Sequence, residues 1–198
     1  MPDTGAPWNI PYVASTDLVS DWPADSQDLA DAIADGLDAA GGLVEVKSAL
    51  FTGTQSNSTA SGANFAVTDL SITHEVADAS NKLIISAFIG RTGDGNVLST
   101  ALAVYDGTSF IGAGDADGNR STVTAGGRLL GSGGTAVGNS LSATFVHTPG
   151  SGSKTYTVRA LNGASTTQTI YINRISSDSD VVYTTRAASG LVIMEVKV

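Results

Sequence analysis

The sequence predicts a mainly β protein in which an extended N-terminal arm and one short helix precede an antiparallel β-sandwich or barrel. Three observations support this fold class. Four of the five prolines lie in the first 23 residues, one amphipathic stretch follows in residues 25–42, and from residue 43 onward several segments alternate with a period of two. The predicted domains are therefore the arm 1–24, the helix 25–42 and the β-domain 43–198.

The arm combines prolines with large apolar side chains. Each proline fixes its own φ and keeps the preceding residue out of the helical region, so we expect the arm to be extended. Disordered leaders are usually poor in aromatic residues, yet the arm contains Trp8, Ile10, Tyr12, Val13, Leu18, Val19 and Trp22. We therefore expect it to become ordered by docking onto another surface; the simpler alternative is a solvated, partly disordered leader.

Charge is divided unevenly along the chain. Nine acidic residues precede the first basic residue, Lys47, whereas residues 47–198 carry ten of each sign, so the net charge of −9 belongs to the first 46 residues. An acidic arm followed by a neutral remainder argues against binding to nucleic acid or to an anionic membrane. No apolar run approaches the roughly 18 residues of a membrane span. Residues 1–25 also lack the features of a signal peptide, so we expect no membrane insertion and no export by that route.

The predicted helix carries one narrow apolar stripe on an acidic rod. Leu29, Ile33 and Leu37 recur at intervals of four, and a glycine pair ends the stretch. A helix of about 15 residues is marginal alone in water, so the stripe must be packed against something. It could lie on the β-domain of its own chain, or against the same helix of neighbouring subunits in a short bundle.

Eight stretches of the β-domain are rich in β-branched and aromatic residues, which indicates strands. They are residues 43–51, 64–76, 82–90, 97–106, 140–148, 154–161, 168–175 and 191–198. Clusters of Gly, Asn, Asp and Ser between them predict tight turns. Alternation in two of these strands predicts shared faces for Leu141, Ala143, Phe145 and His147, and for Tyr156, Val158 and Ala160.

The last predicted strand is apolar on both faces. One face consists of Leu191, Ile193 and Glu195, and the other consists of Val192, Met194, Val196 and Val198. A strand of this kind is typically covered on both sides. We expect the core to cover one face and another subunit to cover the other.

One segment has the partial spacing of a calcium-binding loop. Asp115, Asp117 and Asn119 are separated by two positions, but Arg120 and Gly126 stand where the loop needs glycine and glutamate. No helices are predicted on either side. We therefore interpret this segment as a hairpin turn.

No residue pattern indicates catalysis. His74 and His147 are the only histidines, the chain has no cysteine, and neither histidine has a second ligand at metal-binding spacing, so we interpret both as polar strand residues. Nucleophile-elbow, phosphate-binding and dinucleotide-binding motifs are absent, and nothing marks a carboxylate pair for glycoside hydrolysis. The sequence predicts no catalytic residue, no metal, no cofactor and no enzymatic activity.

The order of these parts resembles that of virion appendage proteins of tailed bacteriophages. The segment "PWNIPYVASTDLVSDWPADSQDLADAIADGLDAAGG", residues 7–42, is similar to leaders in which an aromatic, proline-containing "IPY…TD" segment precedes a short helix. The β-rich remainder looks like the knob of such a fibre. The leader resemblance covers about 40 residues, whereas that of the β-domain concerns architecture alone. The chain lacks the long shaft of a reach-extending fibre and the β-helix of a depolymerase spike.

This resemblance implies a homotrimer with jelly-roll-like knobs that face the host. It implies that the arm is anchored to other virion proteins of tail or capsid through Trp8, Ile10, Tyr12 and Trp22, and that Leu29, Ile33 and Leu37 line the trimer axis. The expected role is a short tail fibre or receptor-binding appendage that contacts a host surface glycan or protein. Two alternatives stay open: a capsid decoration or head-fibre protein, and a small carbohydrate-binding or carbohydrate-active β-sandwich domain.

Overall fold

The computed structural model describes residues 27–33, 36, 42–94, 97–126, 129–130, 137–176, 178–180 and 185–198. The chain divides into two compact units, Met1–Leu43 with Lys197–Val198, and Val44–Val196. Four anchoring residues, Trp8, Ile10, Tyr12 and Trp22, and the axis residue Leu37 lie outside the described residues. The roles assigned to them stay predictions.

The helix is present where the sequence predicts one. Residues 27–33 and residue 36 are helical, and the Gln27 Nε2 atom donates a hydrogen bond to Asp31 Oδ1 at 2.7 Å, one helical turn away. Leu29 is half-buried, whereas the Ile33 residue is 45% exposed in the single chain. No helix in the described part of the chain is long and apolar enough to span a membrane.

Thirteen strands are found in the described part of the β-domain. They are β1 (Leu43–Phe51), β2 (Gln55–Thr59), β3 (Asn64–Val76), β4 (Lys82–Asp94), β5 (Val97–Leu98), β6 (Thr100–Tyr105), β7 (Phe110–Ile111), β8 (Ala125–Gly126), β9 (Leu129–Leu130), β10 (Val137–His147), β11 (Gly152–Asn162), β12 (Gln168–Ile172) and β13 (Ser189–Val196). The prediction of a mainly β protein is confirmed. The predicted bounds of β1 and β3 are those observed, and β2 is a strand that the sequence analysis missed.

The strands form two larger sheets and one short ribbon. In the sheet that we call sheet I, the order is β1-β13-β4-β12-β2, and β10 also pairs with β4; in sheet II, the order is β3-β11-β6-β7, and β8 also pairs with β6. Strands β5 and β9 form the ribbon. The registers of β10, β12 and β13 on β4 and of β3 and β6 on β11 are all antiparallel. The antiparallel, sandwich-like architecture is confirmed, while the jelly-roll-like connectivity stays a prediction.

The core consists of the alternate residues of these strands that point inward. The inward positions of β4, Leu83, Ile85, Ala87 and Ile89, are fully buried, and the residues between them are half-buried. Each fully buried leucine or isoleucine contributes about 2 kcal/mol of hydrophobic free energy. The shared faces predicted for β10, β11 and the Leu191 side of β13 are confirmed, because the members of each set are buried or half-buried together. The structure shows that these faces point inward, since Leu141, Tyr156, Val158, Ala160, Leu191 and Ile193 belong to one cluster with β4.

A bulge in β3 keeps its apolar side chains on the core side. Val67 and Leu70 are both buried although they are three positions apart, and Asp69 between them has a φ of 58°. The register against β11 shifts at this point. The extra residue resets the alternation, so that Ile72, His74 and Val76 also face inward.

A buried asparagine ties three segments together near the start of β13. Asn173 has a φ of 61°, and its Nδ2 atom donates to the carbonyl oxygens of Phe51 and Gly53 at 2.9 Å each. Its Oδ1 atom accepts a hydrogen bond from the Ser189 hydroxyl at 2.6 Å. Asparagine tolerates this left-handed conformation better than most residues. Its side chain therefore satisfies carbonyl groups that would otherwise be left without partners in the interior.

The hairpin predicted at residues 115–119 is wrong. Asp115 to Asn119 lie in the connection between β7 and β8, and both of these strands pair with β6 rather than with each other. A tight turn is nevertheless present, because the Arg120 amide donates to the Asp117 carbonyl oxygen at 3.2 Å. The Gly, Asp and Asn residues specify the turn, but they do not specify which strands pair.

Candidate functional site

The outer face of sheet I is the first candidate binding surface. Directly paired residues of antiparallel strands point to the same side, and Ile84 of β4 pairs with both Val146 of β10 and Met194 of β13. The ring of Phe88 lies so close to Gly190 that a Cβ there would be 2.6 Å from it. The apolar residues of this outer face are Val44, Val46, Leu50, Ile84, Phe88, Val146, Val192, Met194 and Val196.

Several residues of the outer face are unusually exposed for their type. Val46, Leu50 and Val146 are 50%, 62% and 65% exposed, and the apolar residues of β4 and β13 between them are half-buried. Among residues 43–51, 82–90, 139–147 and 189–196 of the four strands β1, β4, β10 and β13, Lys82 is the single charged residue on this side. Contiguous apolar surface of this kind indicates an interaction surface.

A cleft formed by loops is the second candidate site. It has a volume of about 530 Å³, and residues of β6, β8, the β7–β8 connection and the β11–β12 connection line it. Hydroxyl, amide and guanidinium groups dominate the polar part of the lining, which consists of Ser61, Ser99, Asn119, Arg120, Ser121, Asn162 and Ser165. Among the residues that the structure describes, no aromatic side chain lines the cleft. It is therefore suited to hydrogen bonding with a polar ligand rather than to stacking against a flat apolar one.

Asn162 fixes one wall of the cleft. Its Nδ2 atom donates to the carbonyl oxygens of Thr59 at 2.7 Å and of Thr166 at 2.9 Å, and its Oδ1 atom accepts from the Ala164 amide at 2.9 Å. Because Asn162 is fully buried, these bonds hold the turn after β11 in one conformation. Arg120 also lines the cleft, and its side chain is 80% exposed and is paired with Asp117. The cleft thus contains one buried, hydrogen-bonded asparagine and one exposed guanidinium group.

A group of ionisable residues between the two sheets is the third candidate. His74 of β3 is fully buried, and its Nε2 atom lies 2.8 Å from Oε2 of Glu195 of β13. Its Nδ1 atom lies 3.4 Å from Oε2 of Glu45 of β1, a side chain that is 43% exposed. The oxygen and nitrogen atoms that these three residues offer lie within 4.8 Å of one another. The group therefore contains the ligand types that a divalent cation such as zinc uses.

Glu195 is held in its ionised form. Burial acts to raise the pKa of this carboxyl, but hydrogen bonds from the Asn81 side chain, His74 and the Ala77 amide outweigh it and lower the pKa. The Asn81 bond is 2.6 Å long and the Ala77 bond is 2.9 Å long, and both end on Oε1. The other oxygen, Oε2, is thus left to His74.

A second ionisable group lies around the start of β11. Tyr156 is fully buried, and burial together with the nearby charges of Asp106 and Glu195 raises its pKa to about 12. The His147 ring packs edge-on against the Tyr156 ring with the centroids 6.0 Å apart. Burial and then the Lys154 ammonium lower the pKa of His147, and they outweigh the opposing effect of Asp106. Tyr156 and His147 are therefore neutral near pH 7.

The structure describes two of the seven residues to which the sequence analysis assigns an anchoring or axis role. Leu29 and Ile33 lie on the helix, and the other five candidate residues lie outside the described part of the chain. The interpretation of His74 as an ordinary polar strand residue missed its surroundings, because Glu45 and Glu195 are distant in sequence. One sequence pattern could have indicated that His74 is buried. It lies at every second position with the apolar residues Leu70, Ile72 and Val76, which are buried.

No protein-family model matches the chain, and no curated protein sequence matches it.

Proposed function

We propose that this protein is a structural protein of a tailed-phage virion, a short tail fibre or receptor-binding appendage. In this proposal the arm 1–24 attaches it to other virion proteins, copies associate as a homotrimer, and the β-domain is displayed toward the host surface. The observation that supports it best is the exposed apolar outer face of sheet I, which includes the C-terminal strand β13.

A second copy of the same chain is the occupant we assign to the outer face. Permanent contacts between identical subunits are more apolar than other interfaces, and their cores contain few charged residues, so a self-associating surface should be nearly uncharged. The outer face meets this condition in residues 43–51, 82–90, 139–147 and 189–196, where Lys82 is its single charged residue. A different protein partner would tolerate, and often use, complementary charge.

The outer face alone is too small for a stable contact between copies, so the proposed trimer needs a second contact. Four strands spaced about 4.8 Å apart, each contributing about seven residues of roughly 3.3 Å, present an area of about 400 Å². A stable interface needs about 800 Å² from each partner. The stripe of Leu29, Ile33 and Leu37 would supply further apolar area on the three-fold axis, and Ile33 is 45% exposed in the single chain.

The mass of the protein in solution and its location on the particle test this proposal. Mass photometry of the purified chain should give a trimer, and cryo-electron microscopy of the particle that carries it should show three knobs on the tail. Density on the capsid would instead favour a decoration or head-fibre protein. A monomer that stays on virions after deletion of residues 1–42 would contradict the proposal.

The loop cleft favours a second candidate function, carbohydrate binding. Its serine and asparagine side chains and the Arg120 guanidinium suit the hydroxyl and carboxylate groups of a cell-surface glycan. Isothermal titration with host polysaccharide fragments tests this function, and Arg120→Ala should weaken binding at least several-fold. Turnover of the polysaccharide that one Asp or Glu substitution abolishes would instead make the protein a carbohydrate-active enzyme.

A further inference from the structure

We propose that His74 and Glu45 form a binding site for a divalent transition-metal ion of the zinc type, and that Glu195 orients the histidine for it. The site would join β1 of sheet I to β3 of sheet II. It is independent of the function proposed above, because it rests on groups inside the sandwich and not on the outer face or the arm.

Glu195 orients the His74 ring. The Nε2 atom of His74 lies 2.8 Å from Glu195 Oε2, so the ring can donate a hydrogen bond from Nε2 to that oxygen. The Glu195 carboxylate cannot easily turn away, because its Oε1 atom accepts hydrogen bonds from Asn81 and Ala77. Metal-binding histidines commonly donate one ring N–H to a carboxylate in this way, which exposes the lone pair of the other nitrogen to the metal.

The other ring nitrogen of His74, Nδ1, faces Glu45. The Nδ1 atom of His74 is buried and has no hydrogen-bond partner among the described residues. In the neutral ring its lone pair faces the carboxylate of Glu45, with Oε2 at 3.4 Å. A buried acceptor without a partner costs free energy, and a cation between the two groups would remove this cost.

The separation of these two atoms matches a shared metal. Ligand atoms that each lie about 2.1 Å from a tetrahedral zinc ion are about 3.4 Å apart. Imidazole and carboxylate together favour zinc and its neighbours over calcium or magnesium, which take oxygen ligands. Because the Glu45 side chain is 43% exposed, water can reach the site and complete the coordination.

The surrounding charges are compatible with a bound cation. The Lys47 ammonium lies 3.3 Å from Glu45 Oε2 and would have to release that oxygen. It keeps a partner when it does so, because it also donates to the Thr73 carbonyl oxygen at 3.3 Å. Glu195 supplies a second negative charge on the far side of the ring. With two protein ligands we expect binding in the micromolar range or weaker.

Zinc titration of the full chain tests the site directly. Isothermal titration with zinc chloride should show one site per chain, and Glu45→Gln should weaken its affinity at least tenfold. The exposed position of Glu45 makes this variant safe for folding, and a zinc-dependent rise in Tm should be present in the natural chain and absent from the variant. His147→Gln, which removes the other histidine, is the control and should leave zinc affinity unchanged. Equal zinc affinity in Glu45→Gln, or no zinc binding by the natural chain, would overturn the proposal.

Nitrogen-15 NMR of the histidine rings provides an independent measurement. Added zinc should shift the Nδ1 resonance of His74 and leave the ring of His147 unaffected. If zinc leaves the Nδ1 resonance of His74 unchanged, the metal site is wrong.

Discussion

The Lys154 ammonium at the start of β11 lies 3.0 Å from Oδ2 of Asp106, at the end of β6. The other carboxylate oxygen, Oδ1, accepts hydrogen bonds from the amides of Thr108 at 2.9 Å and Ser109 at 2.8 Å. Burial acts to raise the pKa of Asp106, but the Ser109 amide, the Lys154 ammonium and the Thr108 amide outweigh it and lower the pKa to about 2. One side chain thus closes the β6–β7 turn with one oxygen and binds a lysine of the adjacent strand with the other.

Replacement of this carboxylate should change how stability depends on pH. The pKa of Asp106 is lowered on folding, so its contribution is fully present above the unfolded value of about 3.8 and is lost as pH falls toward 2. The lost contribution is about 2 kcal/mol. In Asp106→Asn the remaining Oδ1 atom can still accept both turn amides. We therefore expect the stability difference between the natural chain and the variant to shrink by about 2 kcal/mol between pH 5 and pH 2.

Urea denaturation at pH 2, 3, 4 and 5 measures this difference. Parallel profiles for Asp106→Asn and the natural chain would show that the Lys154 pair does not stabilise the fold.

A charge on the outer face of sheet I should dissociate the oligomer without unfolding the chain. Leu50 and Val146 are 62% and 65% exposed in the single chain, so aspartate at either position costs the monomer little. In a contact between copies it would bury unpaired charge. We expect each variant to raise the dissociation constant at least tenfold by analytical ultracentrifugation, with an unchanged circular dichroism spectrum.

Ser71→Asp provides the matched control for these two variants. Ser71 is exposed on the outer face of sheet II, where it shares a hydrogen bond of 2.9 Å with the Thr157 hydroxyl. It should keep the oligomeric state of the natural chain. If Leu50→Asp and Val146→Asp also keep that state, the outer face of sheet I is not the contact.

Ile33→Asp tests whether the helices meet on an axis. In a trimer the substitution would place three carboxylates close together in an apolar setting, which carries a large desolvation cost. On a helix at the wet edge of its own domain the same change would matter little, because Ile33 is 45% exposed. Mass photometry and thermal unfolding distinguish these cases. Retained trimers with an unchanged Tm would exclude the bundle.

Trp8→Ala and Trp22→Ala test the anchoring role of the arm. Tryptophans at the centre of an interface contribute about 2 kcal/mol or more each, so each variant should reduce incorporation into particles by roughly thirty-fold. Quantitative immunoblotting of purified particles measures incorporation. The unfolding transition of the β-domain should be unchanged. A lower Tm in either variant would mean that the arm packs on its own β-domain instead.

Strands rich in β-branched and aromatic residues could be predicted from the sequence. Residues 43–51 and 64–76 have this composition, and the bounds predicted for them are those of β1 and β3. Strand β2, "QSNST", has no apolar side chain and is a strand because β12 pairs with it. Its polar sequence alone indicates a loop.

The candidate site could be predicted less well than the fold. The apolar character of both faces of β13 was visible in the sequence, whereas its neighbours Ile84 and Val146 on the outer face depend on the register of three strands. His74 and Glu195 are 121 positions apart, and no local pattern connects them. The cleft is likewise built from connections that follow different strands.

By itself the sequence determined the acidic N-terminal region, the helix within residues 25–42, most of the longer strands and the side chains that share a face in several of them. These properties depend on neighbours within a few residues, through proline geometry, capping and alternation. Tertiary structure alone decided that β4 lies between β10 and β13, that His74 meets Glu195, and which apolar side chains share the outer face of sheet I. Such relationships depend on which strands pair and in which register, and long-range packing of the two sheets sets both.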